Sequence, residues 1–266
     1  MSGPHTHSTS PSGLVLDVSG PDSDFAIVLV HGSLDRSAGM ARLARELQSH
    51  YRVIRYDRRG YARSSNLDGP FTVQQHIADL IEIIGSQKVL LIGHSFGGNV
   101  ALGAAQALPH QVLGLSTYES PLSWMPWWSG QSAGAAAVAS EAGQAAENFM
   151  IRLIGHRRWE ALPEKTKEDR RKEGPTLSGE LASLRLGPPW DPTKVLCPVL
   201  AGVGTKASPH HRQGAEWIAN NVVNGQLIVI NEAGHGAPIS HASEFVQLLI
   251  RPHLERIAST SLGYRP

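Results

Sequence analysis

The sequence is poor in the features that would mark several protein classes. Its 266 residues include one cysteine, Cys197, which excludes an internal disulfide framework and a thiolate metal cluster. A lone thiol suits a reducing compartment. No run of about 18 or more apolar residues occurs, so no membrane span is expected. Neither sign of charge is in excess. The formal net charge is +1 at pH 7, which favours neither nucleic acid nor an acidic surface as a partner. No Gly-x-Gly-x-x-Gly or Walker pattern is present, so no nucleotide cofactor is expected. No metal constellation stands out either: His5 and His7 fall in a polar N-terminal stretch, and His210-His211 begin a helix capped by Ser208. Residues 1–13, rich in Ser, Pro, His and Gly, lack the apolar core of a signal peptide and read as a disordered tail on a cytoplasmic protein.

What is present is a rhythm of short β-rich runs and helical patterns. Phe25-Ala-Ile-Val-Leu-Val30 is a continuous apolar run, as expected for a strand buried on both faces. Tyr51 to Tyr56, Val89 to Ile92, Val112 to Tyr118, Val199 to Val203 and Leu227 to Ile230 are further strands by composition. Between them lie amphipathic stripes such as Met40, Leu43, Ala44 and Leu47, and a helix opened by Thr72-x-x-Gln75 and closed before Gly85. The alternation predicts an α/β fold with a mostly parallel central sheet flanked by helices. It breaks between Ser120 and Trp190, where an aromatic and proline cluster leads into Ala-rich and then charged helical segments. Residues 14–119 and 191–266 therefore read as the core, and residues 120–190 as a helical insertion over one edge of the sheet.

Gly93-His94-Ser95-Phe96-Gly97 follows an apolar strand and precedes a helix, the context that gives G-x-S-x-G its meaning. A sharp turn there lifts the Ser95 hydroxyl above the sheet at a helix N-terminus, where developing negative charge is favoured. Side chains at the flanking glycines would collide with neighbouring backbone.

These residues, with Val30-His-Gly-Ser33, Asp57-Arg-Arg-Gly60 and Gly234-His-Gly236, resemble the α/β-hydrolase superfamily across about Phe25 to Ile257. The resemblance implies a helical cap after the sixth strand and a Ser…Asp/Glu…His order of catalytic residues. His235, in the glycine-flanked loop after the last strand, is then the general base. His94 is read as packing, and His241 lacks the glycine-flanked setting.

The acid departs from the family pattern. The loop after the seventh strand reads Gly204-Thr-Lys-Ala207, with alanine where most relatives carry aspartate, and no carboxylate occurs between Asp191 and Glu216. The family's dehalogenase branch places its acid at the end of the sixth strand, and here that residue is Glu119. The expected triad is Ser95–His235–Glu119.

By the same resemblance, the oxyanion donors are the backbone N–H groups of Phe96 and Ser33, with Leu34 as the alternative to Ser33. Leu34, Trp124, Trp127 and Trp128 are candidates for an apolar substrate pocket, while Asp57, Arg58 and Arg59 tie loops together. The leading expectation is a hydrolase of a small apolar ester working through an acyl-enzyme. The same triad acting on a carbon–carbon bond, lactone, amide or peroxide stays open, as does a non-catalytic small-molecule binder. The expected partner is a small-molecule substrate, with no cofactor, no metal and no nucleic acid, and the oligomeric state is left open.

Overall fold

A computed structural model of the protein describes residues 5–138 and 140–262. Strands β1 (His5–Thr9), β2 (Val15–Ser19) and β3 (Phe25–Val30) come first, then helix α1 (Ala41–Leu47) and strand β4 (Arg52–Tyr56). Helix α2 (Val73–Ile84), strand β5 (Lys88–His94), helix α3 (Phe96–Ala107) and strand β6 (Val112–Tyr118) follow. Five helices intervene before the sheet resumes: α4 (Ala133–Val138), α5 (Ala142–Ile154), α6 (His156–Glu160), α7 (Glu164–Lys172) and α8 (Gly174–Arg185). Strand β7 (Val199–Gly204), helix α9 (Pro209–Asn221) and strand β8 (Gly225–Ile230) complete the sheet. Helices α10 (Ala237–Ser240), α11 (Ala242–Phe245) and α12 (Arg251–Leu262) end the chain, with a π-helical turn at Val246–Ile250 between the last two.

The eight strands run in the order β1-β2-β4-β3-β5-β6-β7-β8. β2 pairs antiparallel with both β1 and β4, and every other pairing is parallel. Burial on both faces explains the unbroken apolar runs. In β3, Ala26, Val28 and Val30 pack into one core, whereas Ile27 and Leu29 pack into another across the sheet. The first core is covered by α2, α3 and α9, through residues such as Leu80, Val100 and Ile218. The second is covered by α1 and the C-terminal helices, through Leu43, Phe245 and Leu249. Helix α2 is capped as its sequence implies: Thr72 Oγ1 accepts from Gln75 N–H at 3.2 Å, although the Gln75 side chain turns to Asp79 instead of closing the box.

One expectation is corrected. The stretch 1–13 was expected to be a disordered tail, but from His5 onward it forms an ordered edge strand, with His5 opposite Ser19 and Thr9 opposite Val15. Thr6 to Thr9 are polar and exposed, so no apolar alternation announces the strand; backbone pairing with β2 holds it. Residues 1–4 lie outside the described residues. Among the described residues, no helix is long and apolar enough to cross a membrane.

Candidate active site

The turn from β5 to α3 is built by exclusion. A Cβ on Gly93 would come within 2.5 Å of Gly98 Cα, and one on Gly97 within 2.3 Å of the Val30 carbonyl oxygen. The close approach leaves Ser95 at φ 53°, ψ −126°, a conformation that costs a non-glycine residue on the order of 1–3 kcal/mol. The cost is offset by fixed partners: Ser95 N–H donates to the Tyr118 carbonyl at 2.8 Å, and Gly98 N–H donates to the Ser95 carbonyl at 2.9 Å. Ser95 thus stands at the N-terminus of α3, with the Phe96 N–H next to it.

Glu119 follows β6 directly and also takes a positive φ, 47°. Its backbone N–H donates to Gly202 at 3.0 Å, which ties the turn to β7. The carboxylate is fully buried. Oε2 accepts from His235 Nδ1 at 2.8 Å, and Oε1 accepts from Gly204 N–H at 3.2 Å. Because Nδ1 carries the proton shared with Glu119, Nε2 of His235 is left as the free basic nitrogen. Two further bonds hold the loop that carries this imidazole. Tyr118 Oη donates to Gly234 O at 3.0 Å, and His94 Nε2 donates to His235 O at 2.9 Å.

His94 therefore does more than fill space. Its ring centroid lies 4.8 Å from that of His235. Burial, and then the neighbouring His235, push its pKa down to about 3, so it stays neutral and acts as a fixed donor.

On the other side, His211 stacks on His235 with centroids 4.9 Å apart and an interplanar angle of 29°. Burial, and then the adjacent imidazoles of His235 and His210, hold His211 well below the usual histidine range. The donor atoms of Glu119, His211 and His235 all lie within 4.8 Å of one another, a grouping not expected from the sequence. Both Nδ1 atoms in it are already engaged, that of His235 by Glu119 and that of His211 by the Ser208 hydroxyl at 2.8 Å. Ser208 precedes helix α9 but does not cap it as expected: its hydroxyl bonds the His210 and His211 rings and no helix N–H group.

The loop after β3 is held from beneath by Arg58. His31 Nε2 accepts from Arg58 N–H at 2.9 Å, so His31 Nδ1 donates to Gly32 O at 2.8 Å. The Arg58 guanidinium donates to His31 O and Gly32 O, each at 3.0 Å, and to Glu180 Oε2 at 2.7 Å, while lying 4.8 Å from the Phe96 ring centroid. Glu180, on α8, also accepts from Tyr61 Oη at 2.7 Å. Both charges of the pair are fully buried. Burial acts to raise the Glu180 pKa, but Arg58 and then His76 outweigh it and bring it down to about 2. Arg59 pairs with Asp79, and Asp57 accepts from Ser37 N–H and Arg63, so this charged triplet does link loops.

Ser33, Ser95, Glu119 and His235 line one cavity of about 470 Å³. Trp128 lines it too, with its ring against His210 and His211. The other expected pocket residues do not. Leu34 is buried in the core beneath the loop, at φ 50°. Trp124 packs edge-on against Trp190, which in turn packs on Trp217 and donates to Asn99, so this aromatic cluster fastens the insertion to α3 and α9. Trp127 packs against Trp128 from outside the cavity. The residues missed from the sequence are His211 and two arginines of the insertion, Arg152 and Arg185, which also line the cavity.

Comparison with known proteins agrees with this architecture. The family model described as "Alpha/beta hydrolase family" matches residues 27–248. Over 106 residues the chain is 33% identical to a pimeloyl-[acyl-carrier protein] methyl ester esterase of Aeromonas salmonicida, covering 40% of each chain. Over 103 residues it is 30% identical to epoxide hydrolase 4 of Mus musculus, covering 36% of this chain and 28% of that one. The chain thus spans well under half the length of these curated relatives. A thermophilic esterase from Thermogutta terrifontis superposes with a TM-score of 0.72 at 22% identity, covering 96% of this chain and 99% of that one, a likeness of fold. The family match over most of the chain, together with a sheet of this order carrying G-x-S-x-G at the β5–α3 turn, identifies the protein as a member of the α/β-hydrolase family.

Proposed function

We propose that the protein is a carboxylic-ester hydrolase that works through an acyl-enzyme on Ser95. The observation that carries this reading is the 2.8 Å hydrogen bond from His235 to a fully buried Glu119, on a cavity shared with Ser95. Residues 14–119 and 191–266 act as the catalytic core, and residues 120–190 act as the cap that closes over it.

In this mechanism the substrate carbonyl sits between the Ser95 hydroxyl and the N–H groups of Phe96 and Ser33. His235 Nε2 takes the hydroxyl proton as Oγ attacks, and Glu119 stabilises the imidazolium that results. The oxyanion is held by the two backbone donors, each of which supplies roughly 3 kcal/mol of transition-state stabilisation in sites of this kind. His235 then returns the proton to the leaving alcohol. A water molecule, deprotonated by the same imidazole, hydrolyses the acyl-enzyme. Among the described residues no hydrogen bond within 3.5 Å yet joins Ser95 Oγ to His235, and substrate binding is the step that draws them together, as is common at such sites. A serine at the nucleophile position separates this chemistry from that of epoxide hydrolases, which attack through a carboxylate.

Rapid-mix hydrolysis of p-nitrophenyl acetate tests the proposal. The expected result is a burst of one p-nitrophenol per chain followed by slower turnover, both absent in Ser95→Ala. A Ser95→Ala variant that retains the burst would overturn it.

A further inference from the structure

The cavity over Ser95 has two walls of different chemistry. The wall at the carboxyl edge of the sheet holds Ser95, Glu119 and His235, and its single carboxylate is engaged by His235. The facing wall comes from the helices between β6 and β7 and carries two guanidinium groups, Arg152 on α5 and Arg185 on α8.

Arg185 is half-buried. Its Nη1 donates to the Leu181 carbonyl one turn earlier at 3.0 Å. Its Nη2 lies beside Gly134, where a Cβ would sit 3.3 Å away, so the missing side chain keeps that edge of the fork open. Arg152 donates from Nη1 to the Gln131 carbonyl. Neither arginine forms an ion pair among the described residues. The contrast with nearby cations is plain: Arg171 pairs with both Glu147 and Glu164, and Lys206, also on the cavity, pairs with Glu232 at 2.7 Å.

A guanidinium offers five N–H donors in a planar fork that matches a carboxylate, and only one from each of these two goes to a carbonyl. Arg152 is exposed, but Arg185 is partly withdrawn from water, and a cation so placed without a counter-charge is unfavourable. Burial pushes the Arg185 pKa down, as expected for such a group. Phe149, Leu153 and Leu181 supply apolar lining to the same cavity.

We infer that the substrate is an ester whose far end carries a carboxylate, held by Arg185 and Arg152 across a short apolar spacer from the carbonyl that Ser95 attacks. This rests on the ester-hydrolase reading and narrows the wholly apolar substrate expected from the sequence.

The test has two arms. In the first, kcat/KM is compared for monomethyl glutarate and for methyl hexanoate, a neutral ester of similar length. The expected preference for the anionic ester is roughly 10- to 100-fold at low ionic strength, the range that one or two charge-assisted hydrogen bonds supply, and it should shrink with added salt. Arg185→Gln should lower the ratio through KM, and Arg185→Lys should restore part of it.

In the second arm, binding of glutarate to Ser95→Ala is followed by calorimetry, with and without Arg185→Gln. Saturable binding that Arg185→Gln abolishes is expected. Turnover of both esters with no preference, or a preference that survives Arg185→Gln, overturns the inference and leaves the hydrolase reading standing. Arginine-dependent glutarate binding with neither ester hydrolysed upholds the anion site and sinks the ester-hydrolase reading. Neither binding nor turnover sinks both.

Discussion

Glu119 and His235 lie 116 residues apart in the chain, and their side chains meet at 2.8 Å behind the cavity that Ser95 faces. The carboxylate reaches this point from the end of β6 because the loop after β7, Gly204 to Ala207, offers none. That loop still contributes, since its Gly204 N–H binds the other carboxylate oxygen. Glu119→Gln keeps an acceptor for Gly204 but removes the charge that stabilises an imidazolium. Its kcat should fall by roughly 10²–10⁴ with an unchanged circular dichroism spectrum. Turnover close to that of the wild type would exclude Glu119 as the acid.

The Arg58–Glu180 pair is fully buried and joins the β3 loop to helix α8. Glu180→Gln leaves the Arg58 charge without compensation in the interior, which should cost about 3–5 kcal/mol, read as a lower urea midpoint. Because Arg58 also fixes the carbonyls of His31 and Gly32, kcat should fall as well. An unchanged midpoint would show that the pair is not a structural anchor.

Stability should decline as the solution is acidified below neutrality. His31, His76, His94, His211 and His253 all have pKa values depressed by burial, to about 3 for His94 and about 4 for His253. The unfolded chain binds protons at these imidazoles near 6.5 whereas the folded chain does not, so their contribution is complete above about 6.5 and is lost as pH falls. Glu173, raised to about 7 by burial, and Asp35, raised to about 6 by burial, work in the opposite sense over the same window. The histidines outnumber them. Urea midpoints measured from pH 7.5 down to 5 should fall steadily, and a flat or rising series would contradict the burial of these rings.

Gly97→Ala would drive a Cβ to within 2.3 Å of the Val30 carbonyl, in a central strand that has no room to yield. It should destabilise the fold by about 4 kcal/mol or more, or prevent recovery of soluble protein. Gly236→Ala has open space around it and should fold normally, which makes it the control. Equal urea midpoints for the two variants would show that the β5–α3 turn is looser than described.

Much of this arrangement was legible in the sequence, for identifiable reasons. A strand buried on both faces must be continuously apolar, so β3 and β5 declared themselves. The β5–α3 turn excludes side chains at Gly93 and Gly97, so the glycines bracketing Ser95 marked it. The absence of a carboxylate after β7 directed attention to Glu119.

Other features had no local signature. Thr6 to Thr9 of β1 are polar and exposed, and edge pairing makes no demand on side-chain pattern. Trp124 and Trp127 fall in the same run as Trp128, and sequence does not say which ring turns toward the cavity. Arg152 and Arg185 stand out by lining the cavity without a carboxylate partner, a property of the folded chain. His211 reaches His235 only because α9 starts beside the β8 loop, a proximity set by the order of strands in the sheet.

The central claim is that the Ser95 hydroxyl is activated by His235 and Glu119. Intact-mass and peptide mass spectrometry after treatment with diethyl p-nitrophenyl phosphate tests it most directly. One diethylphosphoryl group per chain, located on Ser95 and incorporated at least tenfold more slowly in Glu119→Gln, is the expected result. A folded protein that takes up no label, or carries it on another residue while Ser95 stays unmodified, would contradict the claim.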